Sequence, residues 1–175
     1  MECGYLYMAE RLVEYFTQIL GGRIGNEAIC FIISLFPVLE LRGGLLAASP
    51  AFLNVPLKKA LIACISGNLL PIPFVLLLIE KVLEQMERWE ITRGFACWLR
   101  QKAEKHKQQI ETLGFWGLVL FVGIPLPGTG AWTGSLVAAL LHMPFKKSML
   151  ACVLGVLMAA VIMTVISYGL LGMAV

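Results

Sequence analysis

From Leu113 to Met143 the chain carries no formal charge apart from the titratable His142, yet the middle of this run, "GIPLPGTGAWTGS" (residues 123–135), holds two prolines and four glycines. A straight helix of that length, at about 1.5 Å per residue, would overshoot a hydrocarbon core of about 30 Å. Pro125, Pro127, Gly128 and Gly130 also interrupt it near its midpoint, since proline lacks a backbone N–H and glycine is a poor helix former. Two short helices meeting at an irregular tip satisfy both constraints. Such a re-entrant hairpin leaves backbone polar groups that lipid cannot satisfy, so its tip has to face protein or a water-filled cavity. The residues alone leave a second reading open: one long tilted helix with a proline kink and glycines for close packing.

A membrane is the solvent that fits the rest of the chain. Of its 175 residues 59% are hydrophobic and 14% charged, well outside the usual soluble range. There is no Asp, and most Glu, Lys and Arg fall in Glu2 to Glu27 and Glu80 to Glu111. Three further apolar stretches lie outside those clusters: Ala28 to Leu53, interrupted by Glu40 and Arg42; Ala60 to Ile79; and Ser148 to Val175. The second and third each suit one crossing, Ala60 to Ile79 with a kink at Pro71 and Pro73.

Several function classes are excluded. A net charge of +3 without a basic stripe argues against nucleic acid. Cys3, Cys30, Cys64, Cys97 and Cys152 show no CxxC spacing, and neither His106 nor His142 has ligand spacing around it. No metal or cofactor is therefore expected, and the cysteines read as small apolar packing residues. With no nucleophile elbow, no HExxH and one carboxyl group at depth, the chain lacks the parts of an enzyme. The first 24 residues are too charged for a signal peptide, and the spacing of Leu12, Phe16, Ile19 and Leu20 suits an interfacial helix. Glu80 to Glu111 mixes seven Lys or Arg with six Glu and reads as amphipathic helix at a membrane face. The positive-inside tendency favours the cytoplasmic side for that face, although Lys58, Lys59, Lys146 and Lys147 complicate the count.

The chain also repeats itself. A shift of 88 residues lays Pro56-Leu-Lys-Lys-Ala-Leu-Ile-Ala-Cys-Ile-Ser-Gly67 on Pro144-Phe-Lys-Lys-Ser-Met-Leu-Ala-Cys-Val-Leu-Gly155, with six of twelve positions identical, and lays Pro37 on Pro125. If each broken stretch enters and leaves on one side, each unit crosses once and the second copy is inverted. Inverted repeats whose broken segments meet near the midplane are a common transporter plan, with the site at the repeat interface. The plainer reading is two ordinary helices sharing a start signal.

Within "FPVLELRGG" (residues 36–44) stand Glu40 and Arg42, the charged side chains of the first broken stretch. Ionisable groups at membrane depth usually line a pathway or pair with one another. Two residues apart on a regular helix they point to nearly opposite faces, so they face different partners or the chain is unwound there, which Pro37, Gly43 and Gly44 favour. Glu40 is the candidate proton carrier and Arg42 its counter-ion or substrate clamp; a purely structural pair is the alternative. In the second stretch Thr129, Trp132, Thr133 and Ser135 would line the facing wall for an amphipathic or cationic substrate. Trp132 as an interface anchor is the other reading.

The pairing of "ELRGG" with "PLPGTGAWTGS" resembles the small multidrug export protein family of prokaryotic membrane proteins, itself more distantly similar to the DedA/VTT superfamily. The likeness runs from about Asn26 to Gly169. It implies paired re-entrant hairpins with an acidic and a basic residue in the membrane, an arrangement associated in the wider superfamily with proton-coupled transport or lipid translocation. Two departures stand out: "RGGLLAAS" has no proline until Pro50, and the second hairpin carries no arginine motif.

The expectation is thus an all-α integral membrane protein of one domain over residues 1–175. It comprises an inverted repeat (about 10–80 and 111–175) joined by an amphipathic connector (about 81–110), each half a surface helix, a broken re-entrant hairpin and one transmembrane helix. Its expected role is that of a small transporter or lipid translocase, proton-coupled, homodimeric and set among the lipids of a prokaryotic cytoplasmic membrane. The alternative is a non-transporting protein that organises the bilayer. The pathway residues would be Glu40, Arg42, Gly43, Gly44, Pro125, Pro127, Gly128, Thr129, Gly130, Trp132 and Thr133.

Overall fold

The computed structural model describes residues 24–88, 114–126 and 128–170, with isolated positions in 11–19 and 93–101. Pro127, the interfacial helix expected at the N-terminus and most of the connector lie outside the described residues. Those described form helices with no strand among them. In chain order these are α1 (Asn26–Leu35), α2 (Glu40–Ala48), α3 (Leu57–Leu69), α4 (Ile72–Glu87), α5 (Gly114–Gly123), α6 (Ala131–Leu140) and α7 (Phe145–Thr164), the last continuing as π-helix through Val165–Leu170.

Both suspect stretches are broken, the first at Pro37 and the second around Pro125, Gly128 and Gly130. Residues 36–39 separate α1 from α2, and residues 124–130 separate α5 from α6. None of these four helices exceeds 10 residues, and at 1.5 Å per residue each is about 15 Å long, half the thickness of a hydrocarbon core. Two segments are long and apolar enough to cross a membrane, Leu57–Ile79 (23 residues) and Phe145–Gly169 (25 residues). The first is interrupted between α3 and α4, because Pro71 and Pro73 offer no N–H to the carbonyls of Gly67 and Leu69.

The offset of 88 recurs in the coordinates. Asn26 and Gly114 begin α1 and α5, Leu57 and Phe145 begin α3 and α7, and Pro56 and Pro144 precede the latter pair. Asn54 and His142, also 88 apart, both take the left-handed conformation (φ +48° and +53°), as do Glu40 (φ +50°) and Gly128 (φ +85°).

Equivalent glycines set the helix packing. A Cβ on Gly67 would lie 2.5 Å from the carbonyl oxygen of Phe31 and 3.2 Å from Ser34 Cβ; on Gly155 it would lie 2.9 Å from the carbonyl of Val119 and 2.6 Å from Val122 Cβ. Each long helix therefore meets the first short helix of its own half backbone to backbone, closer than any side chain permits. On the same two long helices the small residues Ala60, Cys64, Ala151, Cys152, Ala159 and Ala160 are buried as well. Across the halves α2 packs on α7, and α4 on α6. At the surface the Lys59 ammonium bonds Glu27 at 2.9 Å, tying the start of α3 to that of α1.

Candidate functional site

The site is built around the break between α5 and α6. Its loop is folded on itself: Leu126 N–H donates to the carbonyl of Ile124 at 2.8 Å and Thr129 N–H to that of Leu126 at 3.2 Å. The Thr129 hydroxyl lies 2.9 Å from both carbonyls. Left-handed backbone at Gly128 and φ +139° at Gly130 turn the chain back into α6, conformations open to glycine at little cost.

A broken helix exposes carbonyls at one end and N–H groups at the other, with partial negative and positive charge respectively. The first half of the chain supplies a matching charge to each. Arg42 donates from Nη1 to the carbonyl of Leu126, and from Nη2 to the carbonyl (3.0 Å) and hydroxyl (3.0 Å) of Thr129 and more distantly to the carbonyl of Ile124 (3.3 Å). Glu40 takes the opposite end: Oε2 accepts the N–H of Ala131 at 3.1 Å and Oε1 that of Trp132 at 3.2 Å. These are the first two N–H groups of α6, whose own N-cap, Gly130, has no side chain to offer. Any Cβ at Gly130 would stand 2.0 Å from Glu40 Oε2, so the glycine is what admits the carboxylate. The contact is returned by Trp132, whose Nε1 donates to the carbonyl of Leu35 at the end of α1 at 3.2 Å.

Glu40, 5% exposed, and the half-buried Arg42 line a cavity of about 170 Å³ together with Pro37, Val38, Leu39, Gly128, Thr129 and Thr133. Glu40, Arg42, Gly128, Thr129 and Thr133 thus meet at one place. Trp132 turns instead into an apolar groove bounded by Leu35, Phe36, Leu70 and Phe74. Ser135 is buried and donates to the carbonyl of Trp132 within its own helix at 2.9 Å.

Two sequence readings are corrected. Gly43 and Gly44 do not unwind the chain: α2 runs through them, and the irregular backbone lies at residues 36–39 and at Glu40 itself (φ +50°). Nor do they line the cavity. A Cβ on Gly43 would meet Leu39 Cβ at 2.7 Å, and one on Gly44 would meet Ser34 Oγ at 1.9 Å and Cys64 Sγ at 2.8 Å, so both serve close packing. Both arrangements open for Glu40 and Arg42 hold in part: the backbone leaves helical geometry at Glu40 (φ +50°), and the two side chains reach different partners at opposite ends of one break. Pro125 stands in the loop beside the residues that Arg42 holds. Sequence reasoning missed the backbone partners and the apolar groove; Phe36 beside Pro37 in a broken stretch was the available hint.

Broken short helices, two apolar helices long enough to cross a membrane, and a charged pair lodged in a helix break define a helical membrane protein. Residues 40–162 match the family described as "Putative small multi-drug export protein", and the chain belongs to that family. The matched region starts at Glu40 and takes in the whole charged site. No curated protein and no solved structure is matched by this chain.

Proposed function

We propose that the protein is a small secondary exporter of amphipathic substrates, working as an inverted repeat with two re-entrant hairpins and coupled to protons through Glu40. The carrying observation is that Glu40, from one half, caps a helix of the other half at the edge of a polar cavity. Charge-assisted hydrogen bonds of this kind are worth roughly 1.5–3 kcal/mol. A proton on Glu40 removes the charge that the α6 N-terminus holds, loosening the two halves by an amount sufficient to shift a conformational equilibrium tenfold or more. A substrate that favours the loosened state would then be exchanged for the proton.

The repeated 88-residue correspondences and the half-length helices support the hairpin arrangement, and the family description supports export. The likeness to the DedA/VTT superfamily, a homodimer whose second copy covers irregular backbone, and residence in a prokaryotic cytoplasmic membrane complete this reading. The test is substrate-driven proton flux in proteoliposomes containing wild type or Glu40→Gln. Flux in the wild type alone supports coupling; equal flux in both removes it.

One observation favours a second reading, a non-transporting protein that organises the bilayer. Both charges are engaged by backbone groups of the break, so their presence at depth has a structural reason without transport. Saturable, competitive uptake of any amphiphile would exclude this reading.

A further inference from the structure

The correspondence between the two halves fails at one buried cluster. Cys64 and Cys152 stand 88 residues apart and are both buried, but the positions equivalent to Cys30 and Ser34 hold Leu118 and Val122, buried too. The second half therefore closes its seam with two hydrocarbon side chains. The first half has a thiol and a hydroxyl in their place, which close packing alone does not require.

In the first half these polar atoms converge. The Cys30 thiol of α1 donates a hydrogen bond to the Cys64 sulfur of α3, a pairing across the fold that no CxxC spacing would reveal. The Ser34 hydroxyl is turned to the same sulfur and bonds no nitrogen or oxygen among the described residues. Gly44 of α2 closes over the point: a Cβ there would stand 1.9 Å from Ser34 Oγ and 2.8 Å from Cys64 Sγ. Cys30, Ser34 and Cys64 are all 0% exposed. A hydroxyl buried with so poor a partner is a cost to folding that a negatively charged acceptor would remove.

Two sulfurs at one point suit few ligands. No group of three or more His, Cys, Asp or Glu is gathered among the described residues, so Zn(II), which takes four ligands of these kinds in structural sites, is not served. Calcium and magnesium need several oxygens. Soft Cu(I) prefers sulfur, and two sulfurs complete its coordination. Charge points the same way. Binding breaks one S–H bond, releases that proton to water and forms two Cu–S bonds, one to a thiolate and one to a thiol. The complex is neutral and avoids the penalty of a buried net charge.

We propose that Cys30 and Cys64 form a two-coordinate site for Cu(I), with Ser34 donating a hydrogen bond to the Cys64 thiolate. The site stands apart from the export reading and needs neither proton coupling nor an amphiphile. Entry waits on a movement of residues 36–39, the break that follows α1 just beyond Ser34.

The experiment is anaerobic titration of Cu(I) against a coloured Cu(I) chelator, using the full chain in nanodiscs with Cys3 and Cys97 replaced by serine so that only the buried thiols remain. This parent protein should bind one Cu(I) per chain, with two sulfur neighbours by X-ray absorption, and should unfold at a higher temperature with the ion than without it. Cys30→Ser and Cys64→Ser should each weaken binding about a hundredfold or more, Ser34→Ala about tenfold, and Cys152→Ser not at all. Excess Zn(II) should not displace the copper. Failure of the parent to take up Cu(I), equal losses in Cys152→Ser and Cys64→Ser, or displacement by Zn(II) overturns the proposal. A single sulfur neighbour on the bound copper overturns it without recourse to any variant, so the test stands where a substituted chain does not fold.

Discussion

The carboxylate of Glu40 accepts the backbone N–H of Trp132 at 3.2 Å, a bond between residues 92 positions apart. With the matching bond from Ala131, it makes one side chain the cap of a helix that belongs to the other half of the chain. Glu40→Gln keeps the volume, removes the charge and leaves only one oxygen for two N–H groups. It should destabilise the protein by roughly 1–3 kcal/mol, seen as a lower unfolding temperature in detergent. Unchanged thermal stability would show that the cap contributes nothing.

Arg42 spreads its donors over one hydroxyl and three carbonyl groups. A lysine ammonium has the charge without the planar fork, so Arg42→Lys should recover only part of what Arg42→Gln loses. Thermal unfolding of the two variants should rank wild type above Lys above Gln. A lysine variant as stable as wild type would reduce the role of Arg42 to that of a point charge.

Gly67 and Gly155 face the carbonyls of Phe31 and Val119, and neither carbonyl can give way without moving its helix. Gly67→Ala and Gly155→Ala should each cost about 1–3 kcal/mol by overpacking, whereas Gly94→Ala, with nothing among the described residues within 4 Å of the added carbon, serves as the control. Equal unfolding temperatures in all three would contradict the close seam.

Glu27 is held below its ordinary value of 4.5, chiefly by the hydrogen bond from Lys59. A carboxyl depressed on folding stabilises the protein above its unfolded value, and that contribution disappears as pH falls through the lower folded value. The pair is on the surface and therefore small in effect and sensitive to salt. Between neutrality and acid, wild type should lose slightly more stability than Lys59→Met. Parallel pH curves for the two proteins at low ionic strength would dismiss the linkage.

Tyr168 stands in the π-helical end of α7, and its hydroxyl lies 3.0 Å from the carbonyl of Ala48 and 2.8 Å from that of Val55. It pins the last turn of the second half onto the loop that closes the first. Because Ala48 also accepts the N–H of Val55, Tyr168→Phe strands at most one carbonyl and should cost about 1 kcal/mol, measured as a modest fall in unfolding temperature.

Much of this arrangement was legible in the residues. Prolines inside long apolar runs marked both breaks, and an 88-residue shift paired Pro56 with Pro144. What could not be read was where Glu40 and Arg42 reach, because their partners are main-chain groups that every residue possesses and that carry no sequence signal. Gly43 and Gly44 misled for a related reason. A glycine can mark an unwound turn or a tight helix contact, and only the positions of Ser34 and Cys64 decide between them. The groove beside Phe36 was hidden because half of its wall comes from residues 70–75, around the junction of α3 and α4, some 35 residues later in the chain.

The cross-capped break also imposes an order on the making of the molecule. When the segment holding Glu40 and Arg42 leaves the ribosome, the backbone groups that will receive those charges, at residues 124–132, have not yet been synthesised. Charges placed alone at bilayer depth cost about 2.5–3.5 kcal/mol each on insertion scales. On the proposed re-entrant arrangement, the first broken stretch would wait at the interface, or under the protection of the insertion machinery, until the second arrives. Nascent chains stopped before residue 120 should leave a cysteine placed at position 39 open to water-soluble thiol reagents, and chains extended past residue 145 should bury it; reactivity that does not change with chain length would mean that the charges enter without their partners.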